Sequence, residues 1–287
     1  MSVPPSPPPA PPTGAALFAR LEAFYDAVPR DRAGVERLGP FAIFVPDGPG
    51  LPLYARPQLG SRGATAADVE AVRARQRELD LPEAFEWVHE TSPWLLPLVE
   101  ASGLSVLQAP LLVLEPDALG GRGLPPGVSI RLLDPERPDF AAGVAMFRAL
   151  AGLAFGSPGT GLGPVGPLER DAALFPLEPA EAERDASRVA SLRAAYALAE
   201  SSTEGALAGG AYQRVGPVTE IVGVATLPSA RRRGLGAAVT AALARQALAT
   251  GAELVFLAAG SEEVARLYAS VGFRRVGTAC IAATAAG

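Results

Sequence analysis

Near the start of the chain Leu17, Leu21 and Phe24 with Tyr25 recur at three- and four-residue steps, which predicts a helix. Apolar runs over 41–45 and 51–56 predict strands. A helix is expected over 66–79, with Thr65 as N-cap, because its hydroxyl can accept an orphan backbone N–H. Residues 84–90 read as a strand. Residues 92–102 read as a helix, with Pro93 in its first turn and Gly103 past its end. The runs 104–107 and 110–114 read as a closing pair of strands.

The second half opens with a predicted strand over 128–133 and a helix over 140–150. A long Gly/Pro-rich loop is expected over 156–179, and a stretch like that inside a domain is usually functional or disordered. A helix over 180–193 follows, then strands over 195–199, 206–213 and 219–226. A long Ala-rich helix (235–250), a strand (253–258), a helix (261–271) and a final strand region (274–282) complete the pattern. The two halves share a grammar. Ala74-Arg75-Gln76 and Ala244-Arg245-Gln246 are each followed by a strand, a helix, a glycine (Gly103, Gly272) and closing strand sequence. Order and spacing point to a structural duplication. The expected organisation is a Pro-rich tail over 1–14, a domain over 15–120, a turn-rich linker over 121–127 and a second domain over 128–287.

With 49% hydrophobic and 19% charged residues, the 287-residue chain has ample material for packed cores. Its net charge of -5 argues against nucleic acid as a partner, since phosphate neutralisation needs clustered bases. All 25 bases are arginine, so no lysine can act as a general base, a Schiff-base former or an acylation target. Cys280 is the only cysteine, which excludes an intrachain disulfide and leans towards a cytoplasmic setting. Residues 1–16 lack the basic and apolar regions of a signal peptide, and no run reads as a membrane span. His89, the only histidine, has no cysteine or histidine partner in sequence, so it is expected to be a packed or rim residue, and no metal is expected. Cys280 has no histidine nearby to activate it and reads as a quiet strand cysteine.

Chemistry concentrates in one segment. A strand-like run from Glu220 gives way to Arg231-Arg232-Arg233-Gly234-Leu235-Gly236, and a long helix begins there. The two glycines let backbone N–H groups approach a ligand closely, and the helix N-terminus adds free N–H groups and a positive dipole end. Together these make a pyrophosphate cradle, with arginine charge around it. Without lysine it is not a Walker loop. On its own the motif is equally compatible with an ordinary strand–turn–helix that exposes a basic turn. Some thirty residues on come Leu267-Tyr268 and Gly272-Phe273.

Taken together, Arg231, Gly234, Gly236, Leu267, Tyr268, Gly272 and Phe273 give residues 128–282 a resemblance to the GCN5-related N-acetyltransferase superfamily. The resemblance implies an α/β (α+β) fold class: two such domains, each a mixed, mostly antiparallel twisted sheet flanked by helices. It implies an N-acetyltransferase that moves an acetyl group from acetyl-CoA to a primary amine by direct transfer, with acetyl-CoA as acyl-donor substrate and no metal. Backbone N–H groups of Arg232, Arg233, Gly234, Leu235, Gly236 and Ala237, beside Arg231, would hold the diphosphate. Val224, Ala225 and Thr226 would pair with the pantetheine arm, and the Thr226 N–H would face the thioester oxygen. Tyr268 matches the family's general acid, and Glu220 stands where many members place a carboxylate base. Ser261 stands where many members carry a cofactor-contacting asparagine; its hydroxyl can still cap a helix.

The first half looks like a degenerate copy. Residues 56–63 lack the turn motif, and Trp94 to Val99 stand where the second half has Leu267-Tyr268, so no acyl-CoA site is expected there. The loop over 156–179 would border the acceptor site. The acceptor amine is not identified by the sequence, and a homo-oligomer is compatible with it. The alternative reading, from a different class, is a non-catalytic acyl-CoA sensor or scaffold.

Overall fold

The computed structural model describes residues 14–48, 53–120, 123–157 and 159–284. The Pro-rich tail expected over 1–14 lies outside them except for Gly14. In chain order the elements are α1 (Ala15–Ala27), β1 (Ala33–Leu38), β2 (Phe41–Pro46), β3 (Arg56–Pro57), α2 (Ala66–Glu78), β4 (Ala84–Val88), α3 (Leu95–Ala101) and β5 (Ser105–Leu114). There follow β6 (Val128–Leu132), α4 (Phe140–Phe155), α5 (Pro167–Ala172), α6 (Pro179–Ala190), β7 (Ala194–Ser201), β8 (Gly205–Val215) and β9 (Val218–Thr226). The chain closes with α7 (Leu235–Ala249), β10 (Leu254–Ala258), α8 (Glu262–Ala269) and β11 (Phe273–Ala283).

These elements form two compact units. A C-terminal unit comprises Leu112–Leu257 and Glu262–Arg274; an N-terminal unit takes the described parts of Pro12–Leu111, Ala258–Ser261 and Arg275–Gly287. The chain passes from one to the other inside β5, ahead of the turn-rich stretch 121–127.

In the N-terminal unit β1, β2 and β3 form an antiparallel sheet, and Ala55 makes a single parallel bridge to Phe85 of β4. β4 pairs antiparallel with β11, from Ala279↔Val88 to Ala283↔Ala84. Phe41, Ile43, Val69, Val72, Phe85, Trp87, Leu95 and Cys280 make its core. Thr65 caps α2 as expected: its hydroxyl accepts the Asp68 N–H while the Asp68 carboxylate accepts the Thr65 N–H.

In the C-terminal unit the strand order is β10-β9-β8-β7-β6, with β9–β10 parallel and the other pairs antiparallel. A parallel pair needs a crossover, and α7 supplies it. α7 and α4 take opposite faces of β8. A Cβ at Gly210 would lie 2.9 Å from Val239 of α7, and one at Gly209 would lie 3.2 Å from Phe147 of α4. Two adjacent glycines thus let both helices close on one strand.

Four elements differ from expectation. The strand expected over 51–56 is, among its described residues, only the Ala55 bridge and the two-residue β3. The closing pair over 104–107 and 110–114 is one strand, β5, which continues through Pro110. β1 was not foreseen. The loop over 156–179 contains a short helix, α5, which has Pro167 at its start and the Glu169 carboxylate taking the Gly166 N–H at 2.7 Å.

Candidate active site

The site is built where β9 leaves β10. The two strands pair over three rungs only, Leu254↔Val218, Val255↔Thr219 and Phe256↔Glu220, yet β9 runs on to Thr226. Beyond Glu220 that edge of β9 has no strand partner among the described residues, so its backbone groups can take an extended ligand. The strand also bends here. The β8–β9 register shifts between Gly209/Ala211, so Gly223 and Val224 together oppose Gly210, forming a β-bulge. Gly223 has φ +64, and a Cβ on it would lie 2.9 Å from Phe147 Cζ, so both conformation and space require glycine.

β9 leads through a single 3-10 turn (Pro228–Ala230) into the arginine run. Arg232 holds φ +64, a left-handed backbone that costs a non-glycine residue free energy. Gly234, with φ +79, is the N-cap of α7 and offers no side-chain cap, so the first-turn N–H groups remain available to an outside acceptor. At Gly236 three elements meet. A Cβ there would lie 3.5 Å from Thr226 Oγ1, 3.8 Å from Val224 Cγ1 and 4.0 Å from Leu267 Cδ1. The side chains of Leu235 and Ala237 are buried, which leaves their backbone to line the turn.

The three arginines have different partners. Arg231 turns inward: its guanidinium donates to the carbonyls of Ala154 (3.1 Å), Ser157 (2.6 Å) and Gly161 (3.1 Å). Arg232 lies 3.9 Å from Glu263, with both side chains exposed. Arg233 donates to Glu204 at 3.2 Å and to the Ser229 carbonyl at 3.4 Å. The charge expected around the turn is therefore partly matched by the chain's own acids and carbonyls.

Tyr268 lies on α8, with 7% of its surface exposed and its ring 6.2 Å from that of Phe273. Burial holds its phenol well above the ordinary tyrosine range, so it keeps its proton. Glu220 is 7% exposed on the last rung that β9 shares with β10 and accepts a hydrogen bond from Gln213 Nε2 at 2.8 Å. Every site residue from Glu220 to Ala237, with Tyr268, belongs to the C-terminal unit. Ser261 is exposed, immediately precedes α8 and falls with the N-terminal unit.

Residues 198–282, which span β7 to β11, match a family model described as FR47-like protein. A GCN5-related N-acetyltransferase from Kribbella flavida is similar over 96% of this chain and 98% of its own, with a TM-score of 0.69 and 24% identity. The chain has the GCN5-related N-acetyltransferase fold. A GCN5-related N-acetyltransferase-like protein from Streptococcus suis shares that fold over 94% of this chain and 99% of its own (TM-score 0.55, 12% identity). A tandem GNAT protein from the clavulanic acid biosynthesis pathway shares it over 84% and 77% (TM-score 0.54, 16% identity). No curated protein matches the chain.

Sequence reasoning about this acetyltransferase fold missed Phe147, Gln213 and the bulge. A glycine inside the apolar run Ile221-Val222-Gly223-Val224 was the available signal for the last. Among the described residues no group of three His, Cys, Asp or Glu could hold a metal ion, and no helix is long and apolar enough to cross a membrane. Cys280 is buried, and its thiol is pushed up to about 11, first by burial and then by Glu90 and Glu100.

Proposed function

We propose that the chain is an acyl-CoA-dependent N-acetyltransferase that moves an acetyl group from acetyl-CoA to a primary amine in a ternary complex. The observation that carries this reading is the early end of the β9–β10 ladder beside a bulge, leading into an uncapped helix start. An extended arm with amides at intervals fits the open edge at Val224, Ala225 and Thr226, and a diphosphate fits the N–H groups from Arg232 to Ala237.

In the reaction the neutral amine nitrogen attacks the thioester carbon. The Thr226 N–H stabilises the developing oxyanion, which is worth about 3 kcal/mol for a well-placed donor. Collapse breaks the C–S bond, and the departing thiolate takes the Tyr268 proton; solvent then reprotonates the tyrosinate. Glu220, directly or through water, removes the proton that the incoming ammonium must lose. Burial keeps Tyr268 protonated at neutral pH and so able to donate, and also makes it a weaker acid than a free phenol. Ser261 immediately precedes α8, where its hydroxyl can cap that helix. The first half is a degenerate copy of the fold, and the single, protonated Cys280 fits a reducing cytoplasm.

The test is to titrate acetyl-CoA into the protein and screen amines for CoA release. Binding with release supports the reading. Binding without release from any amine class makes the protein an acyl-CoA sensor. No binding removes both.

A further inference from the structure

We infer that Arg231 is a positioning residue that fastens the segment 154–166 to the donor turn, so that the two order together. The arginine that begins the turn motif would be expected to face a phosphate. Instead its fork spans three carbonyls of another segment, 70 to 77 residues away in sequence. Two of those, Ala154 and Ser157, belong to the end of α4 and the turn after it, where unsatisfied carbonyls and the negative dipole end favour a cation.

The fastening continues beyond the guanidinium. The Gly163 N–H donates to the Pro228 carbonyl at 3.2 Å, and the Ser229 N–H donates to the Val165 carbonyl at 3.0 Å. A Cβ at Gly163 would lie 3.0 Å from Pro228 Cβ, and one at Gly166 would lie 2.9 Å from Ser229 Oγ. Residues 154–157 and 159–166 are thus laced to 228–231. The lacing leads directly into α5, where buried Arg170 donates to the carbonyls of Glu204 (2.8 Å) and Ala206. α5 is followed by Ala173, Phe175, Pro176 and Leu177, which wall a cavity of about 410 Å³ against α4. A donor that orders the turn therefore orders this wall.

The coupling rests on the acetyl-CoA reading above; the clamp does not. Amide hydrogen exchange over 154–166 in the full chain, with and without acetyl-CoA, tests both. In the wild type, acetyl-CoA should slow exchange there by about threefold or more. Arg231→Met should speed it by about tenfold and abolish the donor-induced slowing, while the acetyl-CoA Kd rises less than about threefold. A merely structural arginine would leave the donor-induced slowing intact. Arg231→Lys, a point charge without the fork, should restore only part of the protection. Gly163→Val keeps Arg231 but presses on Pro228, and it should also weaken the slowing; it carries the test if Arg231→Met does not fold. Exchange within about twofold of wild type in Arg231→Met, with an acetyl-CoA Kd raised about tenfold or more, would make the guanidinium a phosphate ligand and overturn the proposal. If the wild type binds no acetyl-CoA, the proposed function fails, and the ligand-free comparison still decides the clamp.

Discussion

Each unit contains a strand, a turn, a helix and a parallel strand, and the two diverge at the points that matter for a donor. In the C-terminal unit, β9 and β10 part after Glu220 and leave a bare edge. In the N-terminal unit the parallel contact is the single bridge Ala55↔Phe85, and the next residues, Arg56 and Glu86, are joined by an ion pair. Arg56 is 3% exposed and is held by Glu86 and, at 3.5 Å, by Glu22, with the Tyr25 ring 4.4 Å away. Burial opposes its charge, but the two carboxylates more than restore it. The helix starts differ in the same sense. α2 has its N–H groups served by Thr65, and the Asp68 carboxylate occupies its first turn, whereas α7 begins on Gly234 with no side-chain cap and no acid in its first turn. A helix start becomes an anion cradle when the chain does not fill it with its own oxygen.

The comparison can be broken most forcefully at Arg56. Arg56→Met would remove a buried cation and leave the half-buried Glu22 and Glu86 unpaired, and should cost about 3 kcal/mol in a denaturant titration. Acetyl-CoA binding should persist while the protein is folded; its loss would tie the donor site to the N-terminal unit. Next, Gly236→Leu should push a side chain onto Thr226, Val224 and Leu267 and weaken acetyl-CoA about 100-fold by calorimetry. An affinity within twofold of wild type would move the site elsewhere.

Tyr268→Phe should lower CoA release about 100-fold while the acetyl-CoA Kd changes little. Because Tyr268 holds its proton above the ordinary range, the wild-type rate should not fall from loss of this acid as pH rises to 10. A fall centred near pH 9, absent from Tyr268→Phe, would keep the acid role but contradict the raised proton affinity. In the other unit, Thr65→Ala should cost about 1 kcal/mol in thermal unfolding without creating a second donor site. The smallest effect is at Cys280. Its thiol is raised from 9.0 to about 11, so its contribution to stability is complete below pH 9 and is lost as pH rises towards 11. Cys280→Ala should flatten the alkaline decline in Tm, and an unchanged slope would show that other groups cause it.

What was legible in the sequence was what is local. The capped helix after Thr65, the three strands ahead of the turn and the Ala-rich helix behind it all follow from spacing and capping chemistry. The turn itself was readable because its glycines and the helix start are contiguous. Its surroundings were not. The end of the β9–β10 ladder depends on the register of strands separated by a whole helix. Arg231 finds carbonyls more than 70 residues back, and Arg56 finds Glu86 and Glu22 from 30 and 34 residues away. Nor does a run ending in Ala283 reveal that it pairs with β4. α5 could have been found, since Pro167 and Glu169 are ordinary signals of a helix start.

The most direct test of the account is the stoichiometry of acetyl-CoA binding. Calorimetric titration of the wild-type chain should give one site per chain, lost in Gly236→Leu and kept in Thr65→Ala. No heat of binding, two sites, or a site that survives Gly236→Leu unchanged would contradict the claim that only the turn before α7 holds the donor.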